Sequence, residues 1–332
     1  MFPAADRARG RGPAIRTCGR VVGWQAVTMP TKVTVDIEGR TLALSNLEKV
    51  LYPEAGFTKG EVVDYYAKVA PAIVPHLSGR AVTLRRFPEG VDDLDAAFFE
   101  KRCPKHRPKW VKTARVEAGP HAGKIDFCVC DSLPTLVWMA QLAAIELHPS
   151  LSLSRAPKRP TVLAFDLDPG PPADIVDCCR VGLRLREFFD HFGLECFAKT
   201  SGSKGLQVYV PLNGKASYEV TKPFAKAIAQ LLEKETPDKV VSKMKKVERE
   251  GKVFVDWSQN HQRKTTIAVY SLRARERPTV STPVTWEEVE AVAKSGDGNS
   301  LVFEASDVLD RIDEQGDLFT PVLELEQELP QL

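Results

Sequence analysis

The sequence has no long hydrophobic run. Its longest mostly apolar stretch, Leu136 to Leu147, is interrupted by Gln141 and Glu146 and is too short to span a bilayer. No apolar signal-peptide core stands near the start. Internal repeats and low-complexity segments are absent, and with them any collagen-like architecture. Aromatic residues make up only 8%, yet 43% hydrophobic and 27% charged residues over 332 positions support a substantial core. A disordered chain is excluded; one large domain or two lobes fits. The seven cysteines form no dense framework, and the odd count fits a reducing interior with unligated thiols.

Basic residues are scarce toward the end of the chain. From Trp286 onward 13 acidic residues face 2 basic ones, which leaves residues 1–285 with 44 Lys+Arg and 31 Asp+Glu. The overall charge of +2 therefore conceals a basic body and an acidic tail. A basic body suits a polyanionic partner, although a solvated charged surface has the same composition. Residues 1–30 differ again, with Arg7, Arg9, Arg11, Arg16 and Arg20 against the single acid Asp6. An organelle transit peptide has a similar composition. We read this segment as a dispensable extension, with Met29 as the natural start.

From Thr31 the pattern alternates strands and helices. Thr58 to Glu61 carries a capping box, followed by Val62, Val63, Tyr66, Val69 and Ala70 at helical spacing. Leu136 to Leu147 reads as a mostly buried helix. Thr161 to Phe165 is a short β-rich run and reads as a central strand. Residues 181–192 read as an amphipathic helix stopped at Gly193, and Phe224 to Leu232 as another that ends before Pro237. Further strands are expected at Leu206 to Val210, Val253 to Trp257 and Thr266 to Ser271. The fold class is mixed α/β.

Three clusters carry chemistry. In Phe165 to Gly170 (FDLDPG), Asp166 and Asp168 lie two apart on a strand and project to the same side. Two hard anionic oxygens so placed suit Mg²⁺ or Mn²⁺, while Asp-Pro-Gly alone is also ordinary turn chemistry. In Thr200 to Gly205 (TSGSKG), small residues expose backbone N–H groups, serines donate and Lys204 adds a point charge, as in a phosphate cradle. A polar hairpin loop has the same composition, and Walker A spacing is absent. In Val253 to Asn260, Asp256 sits within an apolar strand, where it needs a cation or several donors. Lys243, Lys245, Lys246, Arg249 and Lys252 precede it; Lys264, Arg273, Arg275 and Arg277 follow. Together Asp166, Asp168 and Asp256 can serve two divalent ions in phosphoryl transfer.

In this order FDLDPG, SGSKGL and VDWSQN resemble the three motifs of the archaeo-eukaryotic primase superfamily. More narrowly, they resemble the polymerase domain of bacterial end-joining ligase D and its stand-alone, ligase-C-associated relatives. Ser45 to Pro53, Phe98 to Lys101 and Tyr270 to Arg273 add further matches, and the resemblance runs from Thr31 to Leu318. It implies a two-lobed primase-polymerase core, with central β-sheets flanked by helices, over residues 31–320. Residues 321–332 are left as an acidic tail.

The implied activity is template-directed addition of nucleotides, with ribonucleotides preferred, at short gaps or break ends of double-stranded DNA bearing a 5′-phosphate. By motif position, Asp166, Asp168 and Asp256 are the catalytic ligands of two Mn²⁺ or Mg²⁺ ions. Arg85, His148, Ser201, Lys204, Gln207 and Arg273 contact the incoming NTP or dNTP, with His148 near its ribose. Phe98 and Phe99 stack on template bases. Lys49 and Lys59 grip the 5′-phosphate across the gap. Without the resemblance, an aromatic pair such as Phe98 and Phe99 is more often core, but the flanking Glu100, Lys101 and Arg102 argue for a surface loop; His148 reads as structural, and the two lysines as solvated helix charges. At Gln207 the family usually has histidine, and Gln cannot carry a proton or charge near neutral pH. No ligase or nuclease module follows, so the expected partners are a separate ATP-dependent DNA ligase and a DNA-end-binding protein. No membrane is involved, and the expected location is the bacterial cytoplasm, associated with the nucleoid.

Cys103, His106, Cys128 and Cys130 offer a weak zinc pattern, since Cys-x-Cys is shorter than usual ligand spacing. Rival functions remain. A haloacid-dehalogenase-type phosphatase also uses Asp-x-Asp, but places Thr or Val where Gly170 stands. A Mn²⁺-dependent glycosyltransferase shares only that motif. A non-catalytic DNA-binding module leaves three carboxylates at strand edges without a purpose.

Overall fold

The computed structural model describes residues 32–119 and 121–331. The expected extension at 1–30 lies outside the described residues. Strands β1 (Lys32–Ile37) and β2 (Arg40–Ser45) form a hairpin closed by Glu38 and Gly39, both at positive φ as its tight turn requires. Strands β3 (Val50–Tyr52) and β4 (Phe57–Thr58) pair and lead into helix α1 (Lys59–Leu77). The Thr58 side chain accepts from the Glu61 N–H while Glu61 accepts from the Thr58 N–H, so the capping box forms as expected.

The first lobe is a five-stranded sheet. It contains β5 (Arg80–Arg86), β6 (Phe98–Glu100), β7 (Thr113–Glu117), β8 (Lys124–Cys128) and β9 (Ala144–Leu153). Helix α2 (Leu133–Gln141) packs beside α1 against it. The second lobe is a six-stranded sheet in the order β13-β14-β10-β12-β11-β15. Its members are β10 (Val162–Pro169), β11 (Phe197–Thr200), β12 (Leu206–Pro211), β13 (Val240–Val241), β14 (Val253–Asp256) and β15 (Pro283–Val284). All its pairings are antiparallel except β13 with β14. Helices α3 (Ile175–His191), α4 (Tyr218–Glu235) and α5 (Trp286–Ser295) cover it, and α6 (Ala305–Gln315) and α7 (Pro321–Glu324) close the chain.

Strand alternation in β10 decides where the site lies. Leu163, Phe165 and Leu167 point into the second lobe's helical core, whereas Val162 and Ala164 join the core of the first. Asp166 and Asp168 continue that second row, so they face the space between the lobes.

Two expected elements differ. The run Leu136 to Leu147 is not one helix: α2 ends at Gln141, Ala143 turns at φ 56°, and β9 begins at Ala144. A short apolar run cannot separate a buried helix from a buried strand, and here it contains both. Thr266 to Ser271 is no strand; it is an irregular buried segment whose backbone bonds to Pro149, Leu147 and Ser281.

The cysteines also depart from expectation. Cys103 and Cys128 form a disulfide with Cα atoms 4.8 Å apart, while Cys130, Cys178, Cys179 and Cys196 are free and buried. That bond uses two of the four zinc candidates. The acidic end of the chain is docked on the body. Asp317 lies 2.8 Å from His76 Nε2, and Gln327 donates to the Glu195 and Pro211 carbonyls. Among the described residues, no helix is long and apolar enough to cross a membrane.

Candidate active site

Four adjacent strands place one polar row across the second sheet. In register, Lys199 on β11 opposes Gln207 on β12, Gln207 opposes Asp166 on β10, and Asp166 opposes Asp256 on β14. Directly opposed residues share a face, and Asp168 shares it by the two-residue period. The three carboxylates therefore lie on one surface, as the strand spacing implied.

Their environment is electrostatically uneven. Burial, followed by the charges of Asp168 and Asp256, raises the Asp166 carboxyl to about 7, against a hydrogen bond from Gln207 Nε2 at 2.9 Å. Burial and the Asp256 charge also raise Asp168. Crowded carboxylates take up protons when no cation is present to balance them, and a divalent cation supplies that balance. The donor set thus fits Mg²⁺ or Mn²⁺, which favour carboxylate oxygen. Among the described residues no three His, Cys, Asp or Glu side chains form a ready-made metal cage. Local bonds hold Asp256 instead: Oδ1 accepts from the Ser258 N–H at 2.9 Å, and Oδ2 from Gln259 Nε2 at 2.9 Å.

Basic residues share a cavity with two of the carboxylates. This open cavity is lined by Asp166, Asp168 and Gln207 together with Ser201, Lys204, Arg249, Arg273 and Arg275. The Ser201 loop is held tightly. Ser201 Oγ accepts from the N–H groups of Ser203 and Gly205 at 3.2 and 3.1 Å, and Arg273 donates to its carbonyl at 3.1 Å. Gly205 is required here, since a Cβ would stand 2.1 Å from the Leu167 carbonyl oxygen. Lys204 is left exposed at the rim.

Gln207 is buried and bonded on both ends, donating to Asp166 and accepting from Tyr209. It therefore acts on the carboxylate row. Beside it, burial lowers the Lys199 ammonium to about 7, and Lys199 donates to Ser281 Oγ at 2.6 Å.

Arg85 and His148 enter from the first lobe. Arg85 lies over the Phe99 ring at 5.3 Å, and the His148 and Phe99 rings are 5.5 Å apart. Phe98 and Phe99 are 42% and 58% exposed, so they are not core; they project from β6, a short strand paired with β5. Burial lowers the His148 pKa against the pull of Glu146. Glu146 joins His148, Arg85 and Arg273, and sequence reasoning missed it. A strand reading of residues 144–153 would have put Glu146 and His148 on one face. Lys199 gave no signal of comparable strength, whereas Arg249 is one of the basic residues that precede Asp256.

Lys49 and Lys59 form a separate station at the start of α1. Lys59 is only 7% exposed, so it is not a solvated helix charge, and its Nζ donates to the Ser45 carbonyl at 2.8 Å. Burial, with the nearby charges of Lys49 and Arg86, lowers it to about 8. Lys49 is paired with Glu89 at 2.5 Å. The Lys59 and Gly60 N–H groups bond to the Lys49 and Leu47 carbonyls.

Comparisons with known proteins give the family. A family described as the LigD primase-polymerase domain matches residues 58–319. The multifunctional non-homologous end joining protein LigD of Mycolicibacterium smegmatis is 41% identical over 281 residues, which cover 84% of this chain and 36% of that protein. The LigD repair protein of Mycobacterium tuberculosis is 42% identical over 287 residues, covering 83% and 36% respectively. The chain thus spans about a third of the length of these curated relatives. A solved structure described as the polymerase domain from Mycobacterium tuberculosis ligase D in complex with DNA superposes with a TM-score of 0.77 at 39% identity. That alignment covers 86% of this chain and 99% of the other. With its carboxylate row between two lobes and this breadth of similarity, the chain belongs to the LigD primase-polymerase family.

Proposed function

We propose that this chain is a DNA-repair nucleotidyltransferase that adds nucleotides, guided by a template, at short gaps or break ends with a 5′-phosphate. One observation carries the reading: three carboxylates share a sheet face, and two of them, Asp166 and Asp168, line one cavity together with Lys204, Arg249, Arg273 and Arg275. A phosphatase of the Asp-x-Asp type needs no such basic residues spread over three further segments.

In the reaction the 3′-hydroxyl of a primer attacks the α-phosphate of a nucleotide, and pyrophosphate leaves. Asp166, Asp168 and Asp256 would hold Mn²⁺ or Mg²⁺, which when bound lowers the pKa of the attacking hydroxyl and offsets charge on phosphate oxygens. Lys204, Arg273 and Arg275 bind the triphosphate, and Ser201 shapes the loop that presents them. Gln207 fixes the direction of Asp166. Arg85 and His148 hold the nucleotide from the first lobe, with His148 at the ribose and ribonucleotides preferred.

Phe98 and Phe99 offer exposed faces to template bases. Lys49 and Lys59 take the 5′-phosphate, for which Lys49 must release Glu89. An ATP-dependent ligase activity seals the product and an end-binding protein delivers the break, in the bacterial cytoplasm at the nucleoid.

The test is single-nucleotide addition to a gapped duplex with a 5′-phosphate, comparing ribo- and deoxynucleotides with Mn²⁺ and Mg²⁺. Metal-dependent addition matching the template base is expected. Salt-sensitive DNA binding without addition would overturn the enzymatic reading.

A further inference from the structure

Glu146 is the third residue of β9, 1% exposed, and takes no part in the chemistry proposed above. Its two oxygens meet three residues of the nucleotide station and one backbone N–H. Oε2 accepts from Arg85 Nη1 at 3.3 Å and lies 3.0 Å from His148 Nε2. Oε1 accepts from the Ala274 N–H at 3.1 Å and faces Arg273 Nε at 3.2 Å. Arg273 in turn donates to the Ser201 carbonyl, so one carboxylate links the first sheet to the phosphate-cradle loop.

Two consequences follow from elementary chemistry. An ionised carboxylate can only accept, so the His148 nitrogen facing it must carry the hydrogen, and Nδ1 becomes the ring's free acceptor. Burial keeps that ring from taking a second proton. Burial would also raise Glu146, but the His148 hydrogen bond and the Arg273 and Arg85 charges outweigh it and hold the carboxyl near 2, so it stays ionised.

We propose that Glu146 is a positioning residue for nucleotide selection, aiming Arg273 at the triphosphate and fixing His148 in the tautomer that offers an acceptor to a ribose hydroxyl. The proposal rests on the nucleotidyltransferase reading of the site. A deoxynucleotide lacks the 2′-hydroxyl that this acceptor would meet. Charge alone makes the opposite prediction. Removing Glu146 unmasks two guanidinium groups, which would draw every triphosphate in more strongly and lower KM for both sugars alike.

The experiment compares wild type, Glu146→Gln and Glu146→Asp in single-nucleotide addition, with kcat and KM measured for a ribo- and a deoxynucleotide. Circular dichroism measures the folded fraction, and ¹⁵N NMR of the imidazole reports the tautomer. In wild type the hydrogen should reside on Nε2. Glu146→Gln should lower ribonucleotide kcat/KM at least tenfold, affect the deoxynucleotide less, and bring the sugar ratio toward one. Glu146→Asp, which keeps the charge but not the reach, should recover part of KM while the sugar ratio stays collapsed.

A wild-type sugar ratio in Glu146→Gln, or KM lowered equally for both sugars, would overturn the proposal. So would a wild-type tautomer with hydrogen on Nδ1, a result that holds even if a variant folds poorly. If wild type adds no nucleotide at all, the nucleotidyltransferase reading fails first.

Discussion

The proposed 5′-phosphate role of Lys59 predicts a sensitivity to pH in a range that is easily sampled. Its ammonium is lowered from 10.5 to about 8, by burial first and then by Lys49 and Arg86. With that value, roughly 90% of the free protein carries the charge at pH 7 and roughly 10% at pH 9. A phosphate dianion beside the amine raises the pKa in the complex, so binding above pH 8 must first take up a proton. Affinity for the phosphorylated end should therefore fall about tenfold from pH 7 to pH 9, or ~1.4 kcal/mol.

The assay is fluorescence anisotropy at constant ionic strength, on gapped duplexes with and without the 5′-phosphate. The ratio of the two dissociation constants isolates the phosphate. Lys59→Arg, whose guanidinium stays charged, should flatten the pH dependence. Stability moves the other way: between pH 8 and 10.5 the unfolded chain binds more protons at this position, so its contribution to folding rises with pH. A wild-type ratio that is unchanged from pH 7 to pH 9 would refute the placement of phosphate at Lys59.

Gly205→Ala would set a Cβ 2.1 Å from the Leu167 carbonyl oxygen, on the strand that carries both Asp166 and Asp168. Overpacking of this kind costs about 1–3 kcal/mol, and nucleotide addition should fall with the melting temperature; near-wild-type behaviour would deny the close packing. The Cys103–Cys128 disulfide spans 25 residues. Loop-closure entropy assigns it about 3.5 kcal/mol, so dithiothreitol and Cys103→Ser should lower the melting temperature equally, without adding to each other. A melting curve indifferent to reductant would show that the bond contributes nothing.

Much of the candidate site was legible because strand chemistry is local. The two-residue period of Asp166 and Asp168 in an apolar run, and the position of Asp256 near the end of another, are enough to predict one shared face. The capping box at Thr58 and the stop at Gly193 were equally local, since each depends on residues within a turn.

What escaped depended on distant partners. Glu146 went unnoticed because the α2–β9 boundary lies inside one apolar run, and the left-handed Ala143 that separates the two elements leaves no composition signal. The disulfide joins residues 25 apart, a pairing that sequence spacing does not select. Residues 266–271 look like a strand because they are apolar and buried; their backbone instead bridges the two lobes. Lys59 looked like a surface charge, and only the Ser45 carbonyl and the folded β2–β3 connection reveal its burial.

The central claim is that the Asp166–Asp168–Asp256 row performs nucleotidyl transfer and does not serve merely to shape a DNA-binding surface. The most direct measurement pairs two readouts on Asp168→Ala: nucleotide addition to a 5′-phosphorylated gap with Mn²⁺ present, and anisotropy with the same duplex. The account predicts that addition falls below detection while DNA affinity stays within about threefold of wild type, a change of under 1 kcal/mol. Full addition by Asp168→Ala would contradict it.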